Sequence, residues 1–348
     1  MMTQMMEEVF GQPAALSGLR KFYASPGAIR AAALRKLVRR WPPTVVFTGM
    51  GSSLYAGYPA QAFLNSLGIR ALVWETAELV HHHLRILKPD TLLVAVSQSG
   101  ETGEILRLLK ALPKTAKVVA VVNEESSTLA RRADIMLPMM AGAQKSVSTR
   151  TYMCAVAALM YLAQAIAGKP SSALSATLSR IVDAQEEVLD RHAALTPACL
   201  EFFGDPPYVA LMARGADLAT AYQGAQMFKE VARIAAEPIS AAQFRHGPIE
   251  IINPAHRYML FARRGKTGAF VLKLAKDIQS HGGRVLLLTD LPFENRANTR
   301  VVRVEPITLG LGTLVDVLHI QLLVHDLALR ARPEPGEFWI ADRVTREE

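Results

Sequence analysis

Residues Ser97-Gln98-Ser99-Gly100-Glu101-Thr102 follow the apolar run Thr91-Leu92-Leu93-Val94-Ala95-Val96 and precede Gly103-Glu104-Ile105-Leu106-Arg107-Leu108-Leu109. The run predicts a buried strand and the spacing after it predicts a helix, with a tight turn between them. A helix start offers unpaired backbone N–H groups and a partial positive charge. Three hydroxyls, an amide and a glycine at that point make a cradle for a phosphate. The plainer reading is a capped helix after a core strand, with Thr102 or Ser99 as the N-cap. A cap needs one hydroxyl, and this turn carries three.

The pattern repeats outward from that turn. Thr44 to Thr48 predicts a strand, followed by Gly49-Met50-Gly51-Ser52-Ser53 and a helix from Leu54 to about Leu67. Gly49-x-Gly51 is half of a dinucleotide fingerprint, but no glycine follows at position 54, so a nucleotide site is weakly supported. Ser52 and Ser53 at a helix start suit a second hand on a phosphate. Further strands are expected at 71–75, 117–122 and 135–139, with helical stretches between them. The loop 141–149, carrying Ser146-Val147-Ser148-Thr149, leads into a long apolar helix reaching about Ala167. Strands alternating with helices predict a parallel sheet covered on both faces. In such sheets ligands bind beyond the carboxyl ends of the strands, where all three hydroxyl loops lie.

The second half copies the first. Tyr208 to Gly215 parallels Thr44 to Gly51, and Arg264-Gly265-Lys266-Thr267-Gly268 parallels Ser99 to Gly103 without its serines. Gly265-Lys266-Thr267 is not a P-loop, because Leu260 stands where the first glycine belongs. The expected divisions are a helical lead-in over 1–40, one domain over 41–170 and a helical linker over 171–200. A second domain over 201–335 and a tail over 336–348 complete the chain. A helix is expected to run from Ala219 to Ala235, carrying Glu230.

Composition limits the function classes. The 348 residues are half hydrophobic and one fifth charged, which is globular, and no apolar run approaches a membrane span. The N-terminus lacks the pattern of a signal peptide, and Cys154 and Cys199 sit in apolar helical contexts, so a cytoplasmic protein with buried thiols is expected. Net charge is +8, with basic residues scattered rather than striped, which disfavours nucleic acid and leaves room for an anionic small substrate. His81-His82-His83 invites a metal reading, but neighbouring helical residues point apart and no carboxylate or cysteine stands at ligand spacing. No metal and no cofactor is expected.

Marks in both halves match one family. They are Gly49 to Ser53, Ser97 to Thr102 and Ser148-Thr149-Arg150 in the first half. In the second they are Gln223-Gly224-Ala225, Lys229-Glu230, Ala236-Glu237 and His246-Gly247-Pro248. The chain resembles the double sugar-isomerase-domain (SIS) proteins. Within them it looks most like the isomerase half of glutamine–fructose-6-phosphate aminotransferase and the related amino-sugar-phosphate deaminases. The resemblance implies an α/β fold of two tandem SIS domains, each a flavodoxin-like three-layer αβα sandwich with a parallel sheet. It implies that Ser53, Ser97, Gln98, Ser99, Thr102 and Ser148 hold a sugar phosphate, with Ser146 the alternative to Ser148. It makes Glu230 the base that moves a proton between C1 and C2 of the open-chain sugar. It makes His246 the ring-opening group, delivered from a neighbouring subunit, so a homodimer is implied.

The residues themselves leave two readings open. A glutamate buried in an apolar helix would have a raised pKa, as such a base requires, or Glu230 pairs at the surface with Arg233 or Lys229. His246 could instead brace the turn before Gly247-Pro248.

The chain also departs from the resemblance. The glutaminase domain is absent, so glutamine is not expected to supply nitrogen unless another chain supplies ammonia. Asp342 stands in the tail where the family has a lysine able to form an imine. Gln223 and Met227, on one helix face with Glu230, replace a glutamate and a lysine, and Gln243 replaces an acid. The expected function is isomerisation or deamination of a hexose or hexosamine 6-phosphate. A non-catalytic phosphosugar sensor is the alternative.

Overall fold

A computed structural model describes residues 2–25, 29, 31–340 and 344–345. The chain forms two compact units, one of Gly11–Val182 with Phe338–Glu348, the other of Met1–Phe10 with Asp183–Glu337.

The first unit is built on five parallel strands: β1 (Thr44–Gly49), β2 (Ala71–Glu75), β3 (Thr91–Ser97), β4 (Lys117–Val122) and β5 (Ile135–Pro138). Their order is β2-β1-β3-β4-β5. The central strand β3 is buried at every residue, whereas the edge strand β2 is half-buried along most of its length. One face of the sheet, with Val46, Leu93, Ala95 and Ala120, packs under Ile105 and Leu108 of the helix Gly103–Ala111. The other face meets the helix Gly57–Ser66, where the Gly57 backbone lies against Phe47. The helix Arg150–Ile166 is buried on nearly all sides, as the apolar run from Tyr152 to Ala163 requires.

The second unit repeats the plan with β6 (Tyr208–Ala213), β7 (Ala235–Ser240), β8 (Arg257–Ala262), β9 (Arg284–Thr289) and β10 (Thr299–Arg303). The order β10-β9-β8-β6-β7 is the first order over again, counted from the other edge. Both sheets are therefore flavodoxin-like, and each has its topological switch point between the first and third strands of its unit. At that point successive crossovers diverge to opposite sides and leave a crevice beyond the strand ends.

The second unit corrects the sequence-based expectation at Ala219–Ala235. The α-helix spans Leu218–Met227, gives way to one π-helical turn at Phe228–Ala232, and stops at Arg233 in the left-handed region (φ 58°). The alanines beyond it, which favour a helix on propensity, belong to β7 and pair with β6. No helix among the described residues is long and apolar enough to cross a membrane.

Candidate functional site

The turns after β1 and β3 leave the first sheet side by side, because these strands pair in register from Thr44↔Thr91 to Thr48↔Ala95. Gly49 is required there. A Cβ on it would stand 2.9 Å from the Val96 carbonyl oxygen, so a side chain would force the two turns apart.

The turn Ser97 to Thr102 is braced from within. Gly100 N–H donates to Ser97 Oγ at 3.0 Å, and Glu101 N–H donates to Ser99 Oγ at 3.2 Å. Gly100 adopts φ +64°, and a Cβ there would collide with the Ser127 hydroxyl. The Gln98 carbonyl accepts from Asn123 and Glu124 N–H, which fixes the turn to the end of β4.

The third hydroxyl behaves differently. Thr102 occupies the N-cap position of the helix Gly103–Ala111 with extended backbone, yet its side chain makes no cap hydrogen bond. Its Oγ1 is buried and without a protein partner, as are Gln98 Nε2 and, on the neighbouring turn, Ser52 Oγ. Buried polar atoms left unsatisfied are uncommon and expensive, and three of them flank one switch point. Ser53 is half-buried beside Ser52.

The loop 141–149 is drawn to the same edge by Asn123, whose side chain donates to the Gly142 carbonyl and accepts from Ala141 N–H. Within it, buried Ser146 donates to the Val147 carbonyl, while half-buried Ser148 bonds the Thr151 hydroxyl at 2.9 Å. The tail also reaches this unit: Gly103 N–H donates to the Thr345 carbonyl at 3.0 Å. Asp342 lies outside the described residues.

Glu230 stands in the second unit, in the π-helical turn Phe228–Ala232. Burial raises its pKa, opposed by a hydrogen bond from Gln226 and by the Lys229 charge. Gln226 Nε2 donates to Glu230 Oε1 at 2.6 Å. Gln226 lies four residues before Glu230, the spacing of neighbours on a helix. Gln223 and Met227, expected on one face with Glu230, are instead fully buried in the core while Glu230 is partly open. Among the described residues, the Glu230 carboxylate is held by Gln226 rather than by an ion pair. His246 ends the short turn Gln243–Arg245 with an exposed side chain, and Gly247 beyond it takes φ +110°.

A model of the SIS domain matches residues 38–163 and again residues 205–331. The chain belongs to the SIS domain family. The glutamine–fructose-6-phosphate aminotransferase (isomerizing) of Pyrococcus horikoshii is 27% identical over 332 residues, which cover 93% of this chain and 54% of that protein. The chain thus spans about half the length of the curated relatives it matches. The C-terminal domain of glucosamine–fructose-6-phosphate aminotransferase from Francisella tularensis superposes with a TM-score of 0.86 at 21% identity, over 94% of this chain and 95% of that one. Glucosamine-6-phosphate deaminase from Thermotoga maritima superposes with a TM-score of 0.77 at 19% identity, over 99% of each chain. These structural likenesses show a shared fold.

The two SIS domains differ at their switch points. In the second, Arg263 fills the crevice after β8. It is paired with buried Asp316 and donates to the carbonyls of Glu305 and Gly312. Gly312 is tight against it, with a Cβ there falling 2.6 Å from Arg263 Nε. Asp217, at the position of Ser53 in the first domain, is pushed up to about 7 by burial and by the Asp316 carboxylate. The second crevice is thus filled by its own charges, whereas the first holds unsatisfied hydroxyl and amide groups.

Other expectations are resolved more simply. Cys154 is buried, with its thiol pushed up to about 12, but Cys199 is only partly buried and lines a cleft. His81 and His82 are exposed, and His83 packs on the Trp74 ring with centroids 4.1 Å apart. Gln226 and Asn123 escaped the sequence reading. Gln226 lies four residues before a candidate base, a helical contact distance, and that spacing was the available signal.

Proposed function

We propose that the protein is a phosphosugar isomerase or deaminase, acting on a hexose or hexosamine 6-phosphate through an open-chain enediol or enolamine. The observation that carries this reading is the set of buried, unpartnered donors at the first switch point: Ser52 Oγ, Gln98 Nε2 and Thr102 Oγ1. A phosphate on these groups and on Ser53, Ser97 and Ser99 would satisfy them and face the positive end of the helix Gly103–Ala111. Ser148 or Ser146 would complete the cradle.

Glu230 is the base in this reading. A carboxylate with a raised pKa removes the proton from the carbon next to the sugar carbonyl or imine. The electron pair left behind forms the enediol or enolamine as the former carbonyl oxygen or imine nitrogen gains a proton. The neighbouring hydroxyl then gives up its proton to become the new carbonyl while the carboxylic acid returns its proton to the former carbonyl or imine carbon, which completes the isomerisation. The Gln226 amide holds one carboxylate oxygen and leaves the other for the substrate. His246, exposed on its loop, protonates the ring oxygen of a sugar bound by a neighbouring subunit, which requires a homodimer. Retention of Glu230 and His246 supports an enzyme over a sensor, and relatives named for isomerising and deaminating sugar phosphates support the substrate class.

The test is a screen of the purified protein against fructose 6-phosphate with ammonia, glucosamine 6-phosphate and related phosphosugars, reading ammonia and isomer together. Turnover of one member is expected. Tight binding without turnover of any would replace the enzyme with a phosphosugar sensor.

A further inference from the structure

A cleft that the sugar chemistry does not use lies in the second SIS domain. It runs between the sheet and the helices Ser172–Asp190, His192–Phe203 and Thr313–Leu329. Its inner chamber, a cavity of about 50 Å³, is lined by Met259, Leu286, Leu288, Val302, Leu322 and Leu323. An outer chamber of about 420 Å³ follows along β10, the edge strand. Val188, Cys199, Val302 and His319 line both, so the two are one continuous cleft.

The inner chamber is largely apolar with His192 and His319 on its wall, and the outer chamber carries Glu187, Arg191, Arg300, Arg303 and Glu305. Alternation along β10 puts Arg300 and Val302 on the same face. The Arg300 guanidinium hydrogen-bonds the Cys199 thiol, which burial holds protonated, so the thiol does not neutralise it. Among the described residues no carboxylate pairs with Arg300. Glu187, in the same chamber, is held by Arg191 at 2.9 Å, and Glu305 is exposed at the mouth. Arg303 also lines the outer chamber, where the carbonyls of Leu291 and Phe293 accept from its guanidinium. His319 makes no hydrogen bond among the described residues, and burial pushes it down to about 4, so it is a neutral donor at pH 7.

We propose that this cleft binds a small apolar carboxylate, with its chain in the inner chamber and its carboxylate on Arg300 beside His319. The apolar walls reject a sugar. A single unanswered cation selects one negative charge, and a neutral imidazole adds one hydrogen bond.

Calorimetry with hexanoate, octanoate and 1-octanol tests this on the full chain. Octanoate should bind about fourfold more tightly per added methylene than hexanoate, equivalent to about 0.8 kcal/mol. Arg300→Leu should weaken octanoate roughly ten- to hundredfold and leave 1-octanol unchanged. Val302→Phe, which fills the inner chamber from an edge strand, should abolish both while glucosamine 6-phosphate binding reports a folded protein. Absence of octanoate binding to wild type overturns the proposal. So does octanoate binding that is indifferent to Arg300→Leu, or a Val302→Phe variant that changes oligomeric state with octanoate still bound. That last result would make the cleft an interface between copies.

Discussion

Gln226 Nε2 lies 2.6 Å from Glu230 Oε1, four residues back along the same helix. The bond opposes the effect of burial, which by itself raises the Glu230 pKa. It favours the ionised form of a half-buried carboxylate and holds one of its two oxygens.

Gln226→Leu should therefore raise the Glu230 pKa further. The acid limb of kcat/KM should move to higher pH, with KM little changed. A pH–rate profile of the two proteins checks this, and an unmoved limb would reduce Gln226 to packing.

Thr102→Val separates binding from capping. The Thr102 hydroxyl makes no cap bond and is buried without a partner, so the variant should melt at or above the wild-type temperature. Its affinity for glucosamine 6-phosphate should fall roughly ten- to hundredfold, the value of a hydrogen bond to a charged group. A large fall in melting temperature with unchanged affinity would return Thr102 to the role of a helix cap.

Shared sites make a prediction about mixtures. Glu230→Gln and His246→Ala should each be inactive as homodimers. Mixed and reassorted at equal concentration, they should recover about a quarter of wild-type activity, since half the dimers would carry one intact site of two. Zero recovery, with exchange of subunits verified, would place His246 and Glu230 in the same subunit's site or remove His246 from the chemistry.

The filled second crevice has a pH signature. Asp217 is pushed up to about 7 in the fold, against about 3.9 in the unfolded chain. Below the unfolded value the group is protonated in both states and has no effect. As pH rises through the interval the native state holds the proton longer, so wild type loses stability up to about pH 7. Asp217→Asn should match wild type near pH 4 and become progressively more stable than it toward pH 7, as measured by urea unfolding. Parallel curves would contradict the assignment.

What the sequence discloses follows the burial. The central strand β3 is apolar from Leu92 to Val96 because both its faces are covered, and it was legible with its serine turn. The edge strands β7 and β10 were not. Ala235-Ala236-Glu237-Pro238-Ile239-Ser240 contains a proline that only an edge tolerates, and its alanines resemble the helix before it. Thr299-Arg300-Val301-Val302-Arg303 is too polar and short to stand out. In the cradle, the residue types were legible, but the division of labour was not. Ser97 and Ser99 brace the turn while Thr102 and Gln98 are left unsatisfied, and only the backbone path decides which. The Gln226–Glu230 bond had a signal in its four-residue helical spacing, but spacing alone does not say which of several neighbours the carboxylate takes.

The central claim is that Glu230 moves a carbon-bound proton of a phosphorylated sugar. The direct measurement is deuterium incorporation from D₂O at C1 or C2 of hexose and hexosamine 6-phosphates, followed by NMR. Wild type should exchange at least one of them, and Glu230→Gln should bind the same sugar without exchanging it. Exchange that persists in Glu230→Gln, or no exchange by wild type with any member of the panel, would contradict the account.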